Sequence, residues 1–298
     1  MLPDADRPTA GEVSDLRGCD SEADYYGIGR MADPVRARKC ASLEVESDAT
    51  PVFGGSAILM MVYANGKGVP RDVGLASRFA CAVGGAPTEL SGRIEHIEAL
   101  GDARVPHRDL DVCDDVRSGV MSGHCAAHRE RLAAGGRLAR KKKAAARLPA
   151  VELDAVERAA ESFFDARESS EVDLSGTLRD ALRVEERTRL EDALVAALER
   201  VRDPAFPEKT GDPRATEAEL ESVYMRLVTC RQIAVREATV PGAVTLNGIR
   251  NTERLWLSYR DAWIALGTRA RSGTSPDLWR TWLTLERTEM LRQLATGC

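Results

Sequence analysis

Apolar side chains fall at helical intervals along most of this chain. Between Val151 and Arg167, the residues Val156, Ala159, Ala160, Phe163 and Phe164 share one face. Leu178, Leu182, Leu190, Leu194, Leu198 and Val201 continue the spacing, which predicts two amphipathic helices over 131–202. Farther on, Trp256, Tyr259, Trp263 and Leu266 stand at i, i+3, i+7 and i+10 and predict a helix with a core-facing stripe. The richest apolar stretch, Ala57 to Ala64, ends at Asn65, Gly66 and Lys67. It is far short of the roughly 18 residues a membrane-spanning helix needs. Abundant Ala, Leu, Arg and Glu, with few β-branched residues outside short patches, then favour helix throughout. The expected fold class is all-α.

Breaks in the pattern suggest the organisation. Residues 1–18 are rich in Pro, Gly and Asp and predict a flexible leader. Asp203-Pro204-Ala205-Phe206-Pro207 through Gly211-Asp212-Pro213 stops helix and makes 203–215 the expected linker. Thr216, followed three residues later by Glu219, reads as a capping box that opens a last domain over 216–298, where all four tryptophans lie. The domain 19–130 has a repeat of its own. Asp33-Pro34-Val35-Arg36-Ala37-Arg38-Lys39-Cys40-Ala41 returns 39 residues later as Asp72-Val73-Gly74-Leu75-Ala76-Ser77-Arg78-Phe79-Ala80. An Asp cap, Ala four residues on and a bulky residue three beyond is the grammar of stacked helical hairpins. A third helix is expected from Thr88 to Leu100.

The second unit, Leu59-Met60-Met61-Val62-Tyr63-Ala64-Asn65-Gly66-Lys67-Gly68-Val69-Pro70-Arg71-Asp72, resembles the Sel-one-like subclass of tetratricopeptide-type repeats. Leu59 and Tyr63 share a helix face, Gly66 and Gly68 permit a tight turn, and Ala76 permits close helix contact. The first unit is expected to have lost its Gly-x-Gly-Val loop. The resemblance implies a protein-binding scaffold.

The run Ile249-Arg250-Asn251-Thr252-Glu253-Arg254-Leu255-Trp256-Leu257-Ser258-Tyr259-Arg260-Asp261-Ala262-Trp263 resembles the LprI-type lysozyme-inhibitor family through Arg254, Trp256, Tyr259, Arg260 and Asp261, with Arg287-Thr288 in the expected last helix. Glu253 replaces a usual Gln, and the family's cysteine after the Arg-Asp pair is absent. The resemblance implies an inhibitor of a peptidoglycan-cleaving enzyme, with Arg250, Arg254, Arg260, Asp261 and Trp256 as partner-binding candidates. An arginine suits a cleft of catalytic carboxylates because its guanidinium pairs with them in a fork. Read by spacing alone, Trp256 and Trp263 are core, while Arg260 and Asp261 link neighbouring helices.

Charge changes the picture little. Net charge is −5 overall, and segments 1–110, 111–202 and 203–298 carry −5, −1 and +1. The one basic run, Arg140 to Lys143, is soon followed by acids and reads as a solvated face, so no nucleic-acid partner is expected. Cysteine changes it more. Seven cysteines without a CxxC predict disulfides in an oxidising compartment, drawn from Cys19, Cys40, Cys81, Cys113, Cys125 and Cys230, with Cys298 left over. The polar start, Met1-Leu2-Pro3-Asp4, has no apolar signal core, and the expectation is a periplasmic or secreted mature form.

His124 and His128, at i and i+4, could hold a metal with Cys113 or Cys125; the preferred alternative is a Cys113–Cys125 disulfide. Asp114-Asp115 reads as a helix start rather than a cation site. Gly54-Gly55-Ser56 and Gly66-x-Gly68 are not phosphate loops, for neither carries the Lys-Ser/Thr that cradles a phosphate. No catalytic residue, cofactor or membrane span is implied. The expected function is inhibition of a lysozyme-like hydrolase through protein binding. The alternatives are an immunity protein against a toxic effector and a non-inhibitory envelope adaptor.

Overall fold

The computed structural model describes residues 2–47, 52–101, 108–207 and 211–298. Thirteen α-helices and no β-strand occur among them: α1 (Ala10–Asp15), α2 (Ser21–Tyr26), α3 (Pro34–Val45), α4 (Ser56–Asn65), α5 (Val73–Ala80), α6 (Pro87–Leu100), α7 (Gly119–Ala145), α8 (Ala150–Ser170), α9 (Arg179–Arg200), α10 (Pro213–Val228), α11 (Arg231–Thr239), α12 (Leu246–Ala270) and α13 (Pro276–Leu294). They form two compact units, Met1–Gly135 and Gly136–Cys298. The division falls inside α7, not at the proline-rich stretch 203–215.

In the first unit α4 is the axis. Every residue from Ala57 to Ala64 is at most 2% exposed, which explains an apolar run with no polar face. Consecutive helices from α2 to α6 pack on one another in chain order, and Ala37, Ala41, Ala76 and Ala80, all fully buried, let them approach closely.

The 39-residue repeat extends to the main chain. Asp33 accepts a hydrogen bond from Arg36 N and caps α3, as Asp72 does from Leu75 N for α5. Gly27 and Gly66 end α2 and α4 at φ of 77° and 67°, and Gly29 and Gly68 follow at 72° and 73°. Ile28 N donates to Ala23 O and Asp33 N to Asp24 O; 39 residues on, Lys67 N donates to Val62 O and Asp72 N to Tyr63 O. The first unit therefore keeps the turn it was expected to have lost. Ile28 and Arg30 disguise it in sequence because the turn asks for the glycines and not for the Val.

The segment expected as a flexible leader is ordered. Thr9 and Glu12 form a reciprocal capping box on α1, and Leu16 is buried. Asp6 accepts from Tyr63 Oη at 2.7 Å and pairs with Arg38 at 3.3 Å, while Glu12 pairs with Lys39. Composition suggested disorder, but specific polar anchors outweigh it.

In the second unit the middle helices and the tryptophan-rich helices share one core, so 131–202 and 216–298 are not separate domains. The broad contact of α8 with α12 brings Val156, Ala160, Phe163 and Phe164 against Trp256, Tyr259 and Trp263. From α9, Leu190, Leu194, Leu198 and Val201 join them, whereas Leu178 and Leu182, expected on the same stripe, are exposed. Gly267 has room for no side chain: a Cβ there would lie 2.3 Å from the Trp279 ring. The expected linker is built into this core by Phe206, whose ring meets Trp282 at 4.9 Å and Trp279 at 6.1 Å. Residues 208–210 of that linker lie outside the described residues. The cap of α10 is Asp212, with Pro213 next to it; Thr216 lies buried one turn in and donates to Asp212 O.

Three disulfides are present: Cys19–Cys40, Cys113–Cys125 and Cys230–Cys298. The free thiol is Cys81, exposed at the end of α5, and not the expected Cys298. A chain end can reach back to Cys230 across 68 residues, a pairing that spacing does not reveal.

The repeat geometry makes a testable distinction. Gly66→Ala forces a Cβ into left-handed backbone, 3.3 Å from Arg71 N, and should cost about 1–2 kcal/mol. Gly84→Ala, with nothing within 4 Å, should be close to neutral. Urea midpoints of the two variants check both.

Candidate functional site

The sequence-derived candidates on α12 are not gathered into one site. Trp256 is 2% exposed and belongs to the core, so it is corrected as a partner contact. The Arg260 guanidinium lies 5.3 Å over its ring and pairs with Glu217 at 3.2 Å and with Asp261 at 3.3 Å. Arg250 and Asp261 are exposed, as is Arg254, which donates to Asn251 Oδ1. These three share the outer face of α12, and Arg260 turns toward α10.

Glu253 and Arg287 have a structural role. Arg287, with no exposed side-chain surface, donates through Nη1 and Nη2 to the two oxygens of Glu171 at 2.8 and 2.6 Å, and through Nε to Glu253 at 2.9 Å. Arg167 adds a bond to Glu171 at 2.7 Å and another to Glu186, which also holds Arg189. Three cations thus meet three carboxylates, and α8, α9, α12 and α13 are tied together. Losing Arg287 strips Glu253 of its ion pair and leaves Glu171 with Arg167 alone, both carboxylates being withdrawn from water. Arg287→Ala should therefore destabilise the chain by about 3–5 kcal/mol, read from the urea midpoint.

The first unit carries a cleft of about 520 Å³, mostly apolar, between the start of α4, the turn after α5 and the start of α7. Ala57, Val83, Ser118, Met121 and His124 are among its walls. Val52 and Val120, 42% and 69% exposed, stand at its mouth.

Buried charge also sets the shape of this cleft. Glu89, fully buried on the first turn of α6, accepts from Ala86 N at 2.7 Å, Arg117 N at 2.9 Å and Ser118 N at 2.7 Å. One carboxylate therefore joins the turn after α5 to the start of α7. Arg93, one helical turn on, donates to the carbonyls of Val83 and Gly84 at 3.1 and 2.9 Å. Gly85, at φ 141°, is required here, because a Cβ would lie 2.5 Å from the Glu89 carboxylate and 2.6 Å from Arg93 Nη2. Sequence reading placed the third helix but missed Glu89, Arg93 and Gly85. The local signal was an acid two residues after Pro87, where a helix start offers free N–H groups.

The histidines divide. His124 is exposed beside the cleft, whereas His128 is buried, with Nδ1 2.6 Å from Glu22 and its ring stacked on Phe53 at 4.7 Å. Cys113 and Cys125 are bonded to each other, so the proposed His/Cys metal set is not brought together. Among the described residues one group of metal-type donors is close enough to consider, Cys19, Cys40 and Glu44, and its two sulfurs form a disulfide. Asp114 and Asp115 lie in a turn, not at a helix start; Asp114 pairs with Arg108 and Asp115 with His96 Nδ1 at 3.3 Å. Cys81, expected in a disulfide, contributes to none.

Burial favours protonated Glu89, but the N–H groups of Arg117, Ser118 and Ala86 outweigh it and hold its pKa at about 2, below the ordinary 4.5. A carboxylate depressed on folding stabilises the native state above its unfolded pKa. That contribution should fade as pH falls from 4.5 toward 2. Glu89→Gln should flatten the acid limb of the stability curve over this range, measured by chemical denaturation at stepped pH. No protein-family model, curated protein or solved structure matches this chain.

Proposed function

We propose that this chain is an extracytoplasmic protein-binding protein that inhibits a lysozyme-like, peptidoglycan-cleaving enzyme. The observation that carries the binding role is the apolar cleft of the first unit, with Val52 and Val120 exposed at its mouth and its walls fixed by Glu89 and Arg93. A preformed apolar cleft with a few polar groups accepts an anchor side chain at little ordering cost. Three disulfides fit an oxidising compartment, where a cell-wall hydrolase acts.

The target class rests on the resemblance of the α12 run to lysozyme inhibitors. Arg250 and Arg254, exposed on α12, are the groups available to a carboxylate-lined cleft; Arg260 is already engaged by Glu217. An acidic inhibitor also meets a basic enzyme with favourable steering.

Titration of the oxidised protein into a lysozyme cell-wall clearing assay, at physiological salt, tests this reading. Saturating inhibition near one-to-one is expected, weakened about tenfold or more by Val120→Asp or by Arg250→Ala with Arg254→Ala. No inhibition of any lysozyme class would overturn the inhibitor reading and turn attention to an immunity or adaptor role.

A further inference from the structure

A second cavity, in the second unit, has the opposite chemistry. Arg140, Lys143 and Arg147, from the end of α7 and just beyond it, face Glu199 and Arg202, from the end of α9, across a recess of about 270 Å³ with Leu198 in its wall. The single acid is already consumed. Arg140 grips Glu199 in a fork, Nε to Oε1 at 3.0 Å and Nη2 to Oε2 at 2.6 Å. That pairing raises the Arg140 pKa and lowers that of Glu199, to which Lys143 adds a longer-range attraction.

Lys143, Arg147 and Arg202 make no ion pair and no side-chain hydrogen bond among the described residues, and all three are exposed. Complementing the negative end of a helix would account for Lys143, which lies in the last turn of α7. It does not account for Arg147 and Arg202, each two residues past its helix and, among the described residues, donating through its side chain to no terminal carbonyl. Three uncompensated cations around one recess repel one another unless a counter-charge joins them, and they are gathered in a chain whose net charge is −5.

We propose that this recess binds a multiply charged oxyanion of the phosphate class. Two guanidinium groups and an ammonium supply the donors such an anion uses, since a fork of N–H groups matches two of its oxygens at once. The Arg140–Glu199 pair ties the two sides of the recess together. The phosphoryl group comes either from a free compound or from a lipid headgroup, and the two sources are separable by experiment.

Inorganic pyrophosphate titrated calorimetrically into the full oxidised chain at low ionic strength should show saturable one-site binding that weakens with added salt. Arg147→Gln combined with Arg202→Gln should weaken it at least about tenfold. Lys142→Gln, an equal loss of charge outside the recess, should change it by less than about twofold. Co-sedimentation with phosphatidylcholine vesicles, with and without phosphatidic acid, reads the lipid source. Binding only to the acidic vesicles, lost in the same double variant, would support the site with a headgroup as ligand. Absence of saturable binding to both probes would overturn the proposal, as would binding that the double variant retains. Matched thermal melts of the variants show that the fold is intact.

Discussion

A charge withdrawn from water has to be met by an opposite one, and in the second unit that requirement is concentrated on Arg287. Its guanidinium has every nitrogen engaged, two on Glu171 and one on Glu253, with no exposed side-chain surface. The arrangement dictates where four helices end up, because Arg287 comes from α13, Glu253 from α12, Glu171 from the end of α8, and Arg167 carries the network to Glu186 on α9. The Phe163 ring lies 5.6 Å from the Arg287 guanidinium, and Trp256, Trp263 and Trp279 are buried in the core of the same unit. Apolar packing tolerates small slips in register, whereas a three-by-three set of paired charges does not.

The first unit solves a similar problem with backbone instead of side chains. Glu89 accepts three main-chain N–H groups and Arg93 serves main-chain carbonyls, so two irregular segments are anchored to α6. These are the segments that flank the apolar cleft. The cleft is therefore a product of polar chemistry beneath it: Glu89 fastens the start of α7 to the turn after α5. A preformed opening of this kind suits recognition, since little ordering is left for the moment of binding.

Helical content, the stripe Trp256, Tyr259, Trp263, Leu266 and the two Asp caps were legible from spacing alone. Each depends on residues close in sequence. Domain limits were not legible, because proline and glycine mark the end of a helix without saying whether the chain leaves the core; Phe206 returns the expected linker to it. The leader was misjudged for the reverse reason: its composition is that of a loop, yet Asp6 and Glu12 find partners far along the chain. The candidate arginines show the same limit. Arg250, Arg254 and Arg260 look alike in sequence, and only the position of Glu217 removes one of them from the surface set. Glu89 escaped notice because its local signal shows only a helix start, while its partners Arg117 N and Ser118 N are main-chain groups 28 and 29 residues away.

The two matching turns, Gly27 to Asp33 and Gly66 to Asp72, close entirely through main-chain hydrogen bonds and aspartate caps. Side chains divide between those the fold uses and those it leaves alone: Arg30 pairs with buried Asp24 and Arg71 donates to Leu100 O, whereas Met31 is 91% exposed. Each turn thus keeps one main-chain path while the side chains it carries differ. A lineage built on such hairpins can rewrite what its loops display, or gain and lose a whole hairpin, without renegotiating the stack that carries them.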